Sequence, residues 1–387
     1  MTNSATFVLR LSGFVVAVLF FTNTSKLHAF PEMTRHSYAS CTACHVSPNG
    51  GGLLTPYGRN LSRDMLSTWG AEREGEILHG ALPKKYMEDL EGSKFRFGGD
   101  ARSVQTHREN KVARVGQFFF MQAEVEAAYD QGAFAIVMSV GKVEDPRGKG
   151  NFTFNSQRYY ALARYGDSLN FRVGRFNTAF GINFADHTLS IRRPLGLGIE
   201  VERENAELSW LGEKDQAFVS FMKTAAATAE TDREQAAVFR YDRIVNERSR
   251  VGASFWQGDG GTSGTDSKFT RFIVALHSIV NISEKWFATA EIDRQERLDK
   301  KLLGESRAQS QYGFLRLNYE PVQGLWPLAQ FQHERGDVNL NSTEVNKYGL
   351  GVNFFPRPHF EIFGIWNRVF KQSEWSDEAY VMLHYYL

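Results

Sequence analysis

The sequence predicts a mainly β fold: an antiparallel transmembrane barrel of about 16 strands behind a small α-helical N-terminal domain. Three observations lead there. The 387 residues carry 31 Phe, 14 Tyr and 34 Gly against only 10 Pro, a composition that suits long strands. From residue 95 onward, segments of about ten residues alternate apolar and polar side chains between turn-rich stretches. The mean hydropathy of -0.37 excludes a helical membrane bundle but not a barrel, whose strands are apolar on one face only.

In chain order, residues 1–29 read as an export signal. Arg10 supplies the basic start, 11–21 the apolar run, and Leu27-His28-Ala29 a cleavage region. A membrane anchor is the competing reading; it would need ~20 apolar residues, about twice what is present. Removing 1–29 takes away Arg10 and Lys26 and leaves nearly balanced charge, which argues against a nucleic-acid partner.

Residues 30–93 form the second unit. Its centre is Cys41-Thr42-Ala43-Cys44-His45, a C-x-x-C-H motif built from the only two cysteines of the chain. The spacing lets two thiols reach the two vinyl groups on one edge of a haem while the adjacent His45 lies under the iron as an axial ligand. A disulfide between Cys41 and Cys44 would close a strained loop, a redox pair would want a βαβ context, and zinc would need more thiolates. One covalent haem c is therefore the expected cofactor. The sixth iron position is open between Met65, His79, His36 and Met87, or is empty; a Met would raise the potential relative to a second His. Thr55 as N-cap and Pro56 in the first turn open a helix that carries Met65. Gly50-Gly51-Gly52 is either a close backbone approach to the porphyrin or an ordinary loop. So short a unit lacks the residues for much of a core, and a covalent haem would staple it.

Residues 95–387 form the barrel. Trp286, Ala288, Ala290 and Ile292 share one face and Thr289, Glu291 and Asp293 the other; Phe272 and Leu276 oppose Arg271 and His277 in the same way. The last strand ends Val381, Leu383, Tyr385, Leu387. Aromatic pairs near strand ends, among them Phe118, Phe120, Tyr159, Trp256, Trp326 and Tyr386, suit girdles at the membrane surfaces. One gap, 177–194, is long enough to fold into the lumen as a constriction loop, or to lie on the surface. In the first case Arg172, Arg175, Arg192 and Arg193 would line the pore and favour anions. No Ser–His–Asp or zincin arrangement is found, so hydrolase and transferase chemistry is not expected.

The run from Cys41 to Arg59, CTACHVSPNGGGLLTPYGR, resembles the haem segment of the fused outer-membrane cytochrome–porins. The matching positions are Cys41, Cys44, His45, Pro48, Leu54, Thr55, Pro56, Tyr57, Gly58 and Arg59. Val173-Gly174-Arg175-Phe176 with Ala179-Phe180-Gly181 resembles a strand of phosphate-selective-type porins, with Ala179 where Pro is usual. The first resemblance implies a chain of the bacterial outer membrane, embedded in its lipid, with the haem segment periplasmic or inside the barrel. It implies an electron conduit between a periplasmic c-type cytochrome and an extracellular donor or acceptor such as iron. The glycine run and the short barrel depart from the iron oxidisers. The alternative function is a porin for small solutes with the haem segment as plug or sensor; a peroxidase-like haem enzyme is a third.

Overall fold

The computed structural model describes residues 32–38, 40–70, 94–143, 153–155, 158–184, 186, 188–197, 202–223, 232–262, 268–301 and 304–387. The export signal, His79 and Met87 lie outside them.

The barrel strands are β1 (Phe95–Glu109), β2 (Arg114–Asp130), β3 (Phe134–Val143), β4 (Thr153–Asn155), β5 (Tyr159–Tyr165), β6 (Leu169–Asn177), β7 (Glu202–Leu211), β8 (Asp215–Lys223) and β9 (Asp232–Val245). They continue as β10 (Ser249–Thr262), β11 (Lys268–Asn281), β12 (Trp286–Lys301), β13 (Gly304–Tyr319), β14 (Leu325–Arg335), β15 (Glu344–Arg357), β16 (Phe360–Lys371) and β17 (Glu374–Tyr386). Apart from β4 and β5, each pairs antiparallel with its sequence neighbours, and β1 pairs with β17 from Asp100–Tyr386 to Glu109–Asp377, so the sheet closes. β4 and β5 both pair with β3 and form one stave in two pieces, which makes the closed barrel one of 16 staves, as the alternation predicts.

Closure leaves no free sheet edge, so every backbone group in the wall finds a partner without water. Phe97, Val125, Phe221, Phe255, Leu276, Ile292, Leu350 and Leu383 are exposed on the outside. Glu124, Arg172, Glu207, Asp242, His277, Glu291 and Asp293 are buried on the inside. A bulge where the β1–β2 register shifts at Arg102/Ser103 skips Met121, so Gln122, Glu124 and Glu126 face inward below it and Phe119 and Gln117 line the lumen above it.

The expected girdle is partly different. Phe118, Phe120 and Tyr159 are exposed on the outer face, but Trp256 (0%), Trp326 (4%) and Tyr386 (8%) are buried toward the lumen. They have apolar partners inside, which lipid-facing girdle residues do not.

Two chain segments fill the interior. The loop between β6 and β7 folds inward, burying Phe180, Ile182, Leu189, Ile191 and Leu195. Its apolar side chains pack on Trp256, Ile273, Ala275, Tyr312 and Phe314 of the wall. Of the two placements open to this segment, the structure takes the constriction loop. The N-terminal residues 32–70 form the second filling. Met33, Cys44, Leu54, Leu61 and Leu66 share one apolar cluster with Phe287, Trp326, Phe355 and Tyr386, so the segment borrows its core from the barrel. Its one α-helix, α1 (Pro56–Leu61), begins as expected: Thr55 accepts the Gly58 N–H on its side chain at 3.1 Å and Pro56 occupies the first turn. Met65 follows in a wider turn, Ser62–Leu66.

Candidate functional site

The C-x-x-C-H segment lies inside the lumen. A short 3-10 turn, Cys41–Ala43, is capped by Ser40 and leads to Cys44, and His45 bridges back to Leu54. The turn between them carries Gly50, Gly51 and Gly52, all with positive φ (81°, 73° and 65°), where glycine avoids the strain of a Cβ. Close packing also excludes a side chain. A Cβ on Gly50 would sit 3.2 Å from the Cys41 sulfur, and one on Gly52 would meet Arg158 at 2.8 Å. The glycine run is thus a close approach, and the groups approached are Cys41 and the wall residues Glu126 and Arg158.

The segment is fastened at several heights. At the end with the tight turns, Arg35 pairs with Glu320, Thr68 and Trp69 bond the backbone of Phe355 and Pro356, and Ser62 bonds Tyr386. Deeper in the lumen, Arg172 donates to Ser47 at 2.8 Å and to Glu207 at 2.7 Å, and Asn49 donates to the Asn177 carbonyl at 2.8 Å. Asn183 of the constriction loop donates to the Asn49 carbonyl at 3.1 Å, so the two fillings touch.

A cavity of about 1210 Å³ runs from this segment along the lumen to Arg108, Glu334 and Glu378 at the opposite end, with Tyr160, Arg172, Arg240 and Trp256 also on its wall. Cys41, His45 and Met33 line it, whereas Cys44 is buried in the apolar cluster beside it. His45 Nδ1 lies 3.2 Å from the Gly52 carbonyl. A ring N–H held that way leaves Nε2 as the lone-pair nitrogen, the arrangement typical of a metal-ligating histidine. Burial lowers the His45 pKa to about 4, so the ring is neutral, as an axial ligand must be. Burial pushes the Cys41 thiol upward, against the lowering influence of the nearby Arg250 and Arg240 guanidinium groups. No disulfide joins Cys41 and Cys44. The volume exceeds the ~300–1,000 Å³ of ordinary ligand sites. Cys41 and His45 thus present a thiol and a neutral imidazole to one cavity, and Cys44 lies outside its lining.

Of the sequence candidates for the sixth position, Met65 and His36 do not line this cavity, and His79 and Met87 lie outside the described residues. Met65 packs on the apolar cluster, and His36 is half-buried between Arg35 and the β9–β10 turn. Burial, then Arg35, lowers the His36 pKa to about 4. Met33, which the sequence did not single out, is 1% exposed and is on the cavity wall. Its only sequence signal was proximity to the motif.

Of the four predicted pore arginines, three reach the cavity and one does not. Arg172 is paired with Glu207 and lies over the Phe176 ring at 3.6 Å; Arg192 is paired with Glu291 at 2.7 Å; Arg193 is exposed to the lumen. Arg175 is opposite Tyr159 and Glu204 on the outer face, because strand alternation puts Arg172 and Phe176 inside. A simple cationic ring is not formed, since acids neutralise two of the arginines.

The constriction loop is held by polar contacts as well as by its apolar core. Gly181 N–H donates to Ser254 at 2.9 Å, Ile182 N–H to Glu291 at 2.6 Å, and Ser190 to Gln332 at 2.8 Å. Gly181 has φ +57°, and a Cβ there would lie 2.1 Å from Glu291.

No protein-family model and no curated protein matches the chain. Solved structures do. OprB of Pseudomonas putida superposes with a TM-score of 0.60 at 9% identity, over 84% of this chain and 99% of that one. OmpT of Vibrio cholerae gives 0.57 at 11%, over 76% and 97%, and an anion-selective porin from Comamonas acidovorans gives 0.54 at 9%, over 76% and 99%. At such identities the likeness is one of fold: the chain has the closed barrel architecture of outer-membrane porins.

Proposed function

We propose that the protein is an outer-membrane barrel that carries one covalent haem c inside its lumen and passes electrons rather than solutes. The observation that carries this reading is the placement of the C-x-x-C-H segment. Cys41 and His45 line a cavity within the barrel, His45 is neutral and oriented by Gly52, and the segment blocks the end with the tight turns. In outer-membrane barrels the tight turns are periplasmic and the longer loops extracellular. The haem would then face a periplasmic c-type cytochrome across the plug and an extracellular donor or acceptor, such as iron, along the cavity.

Cys41 and Cys44 would hold the porphyrin by thioether bonds, His45 would bind the iron, and Met33 offers a thioether on the same wall. The bound haem would supply a one-electron couple. The chain's part is to place the motif: the lipid-facing band anchors the barrel, and the plug closes the end with the tight turns.

A second reading is a solute channel with a plugged lumen. It is favoured by the cavity that runs most of the barrel height and by the fold neighbours, which include DcaP of Acinetobacter baumannii, described as an outer membrane channel (TM-score 0.52, 12% identity). Purified protein in liposomes separates the two. The conduit reading expects a haem-staining band and reduction of an enclosed dye by an external reductant, without ion leakage. Open conductance with a redox-silent or colourless protein overturns it in favour of the channel.

A further inference from the structure

Asp100 on β1 stands directly opposite Glu124 on β2, on the inner face, with Glu126 two residues along. One oxygen from each of the three lies within 4.8 Å of the others. Like charges directly opposite across a sheet destabilise it unless something compensates. The compensation in the chain is incomplete. Arg158 bridges Glu126 and Glu202, Arg102 reaches Asp100 at only 3.4 Å, and His384 is held between Asp100 at 2.7 Å and Glu361 at 2.8 Å. Glu124 is the member left short. It is 4% exposed, its Oε2 accepts from Gln122 at 2.8 Å, and its Oε1 is buried with no hydrogen-bond partner.

We infer that Asp100, Glu124 and Glu126 form a binding site for one hard divalent cation on the lumen wall beside the haem-attachment segment. Three carboxylate oxygens are the ligand set such ions take, with water completing the shell. A cation bound there would give Glu124 Oε1 the partner it lacks. Asp100, Glu126, Arg102 and Arg158 line the cavity, so an ion can enter from its open end through water. The site abuts the plug: a Cβ on Gly52 would lie 3.1 Å from Glu126, and the Asp100 charge acts on His45. Occupancy would thus fasten the plug to the wall at the height of the motif. The site does not depend on the presence of haem.

The test uses the full-length barrel in detergent, stripped with a chelator and titrated with Mn²⁺ alone, with free Mn²⁺ read by electron paramagnetic resonance. The expected result is one saturable Mn²⁺ per barrel, displaced by Ca²⁺ or Mg²⁺, and weakened at least tenfold in Glu124→Gln and in Asp100→Asn. Heat-modifiable gel mobility reports that each variant remains a folded barrel; if one does not fold, the other carries the comparison. Absence of saturable binding in the parent protein, or equal binding in a folded variant, overturns the proposal. A colourless protein that still binds Mn²⁺ in this way would sink the haem reading and leave the cation site standing.

Discussion

The two sides of the lumen are built from the same alternating strands yet solve different problems. On the β10–β13 side the inward positions include Trp256, Ile273, Ala275 and Phe314, packed under the constriction loop. On the side formed by β1, β2 and β14–β17 the inward positions include Asp100, Arg102, Gln122, Gln330, Glu361 and His384, and the cavity runs along them. The outer faces are alike because lipid asks the same of both. The inner faces differ because the constriction loop packs on the first, while the cavity runs along much of the second. A lumen-facing residue is therefore a statement about its filling, not about the membrane.

The largest expected effect concerns the motif against the rest of the lumen. Cys41→Ala with Cys44→Ala should abolish covalent pigment entirely, read by haem staining of the denatured band, while the barrel still shifts mobility on heating. Next is the packed side. Glu291→Gln leaves Arg192 buried without its carboxylate, a loss of ~3–5 kcal/mol for a broken buried pair. It should lower the melting temperature and raise ion conductance as the constriction loop loosens; an unchanged conductance would remove the loop as a barrier.

On the cavity side, Gly52→Ala combines a φ of +65° with a clash against Arg158. A cost of ~1–3 kcal/mol is expected for a strained position of this kind. Hydrogen exchange should show lost protection at 45–54 and little change in the barrel strands. The same segment should respond to pH. His45 has a folded pKa near 4, below its ordinary 6.5, so the unfolded segment takes up a proton first as pH falls. In haem-free protein, plug stability should be constant above about pH 6.5, decline as pH falls from there toward 4, and level off below. His45→Gln should flatten that decline, measured by protease sensitivity of the plug. The smallest effect is Ile191→Val under the loop, ~0.5–1.5 kcal/mol from one lost methylene, read by thermal melting.

Much of the barrel was legible because lipid imposes a two-residue period that nothing else in the chain imitates. Trp286, Ala288 and Ile292 against Glu291 and Asp293 gave the faces of β12 correctly. The failures have one cause: period shows which side a residue takes but not what waits there. Trp326 sits at a strand end as girdle residues do and Trp256 in the middle of β10, and their partners Arg35 and Phe180 come from segments far away in sequence. Arg175 was grouped with Arg172 by charge, although the odd spacing between them sends the two to opposite faces. The bulge at Met121 cannot be read from alternation, since it is the point where alternation breaks. At the motif, Cys41, Cys44 and His45 were marked by spacing. Met33 was not, because its link to them runs through Phe287 and Trp326 of the wall.

The plug touches strands that meet only when the cylinder is complete. Ser62 bonds Tyr386, and a Cβ on Gly98 would strike both Leu53 and the terminal Leu387. The seat of that segment and the joint of β1 with β17 thus lean on each other, so loosening either loosens the other. A group carried at Cys41 would then lie enclosed between the plug and the joint of β1 with β17.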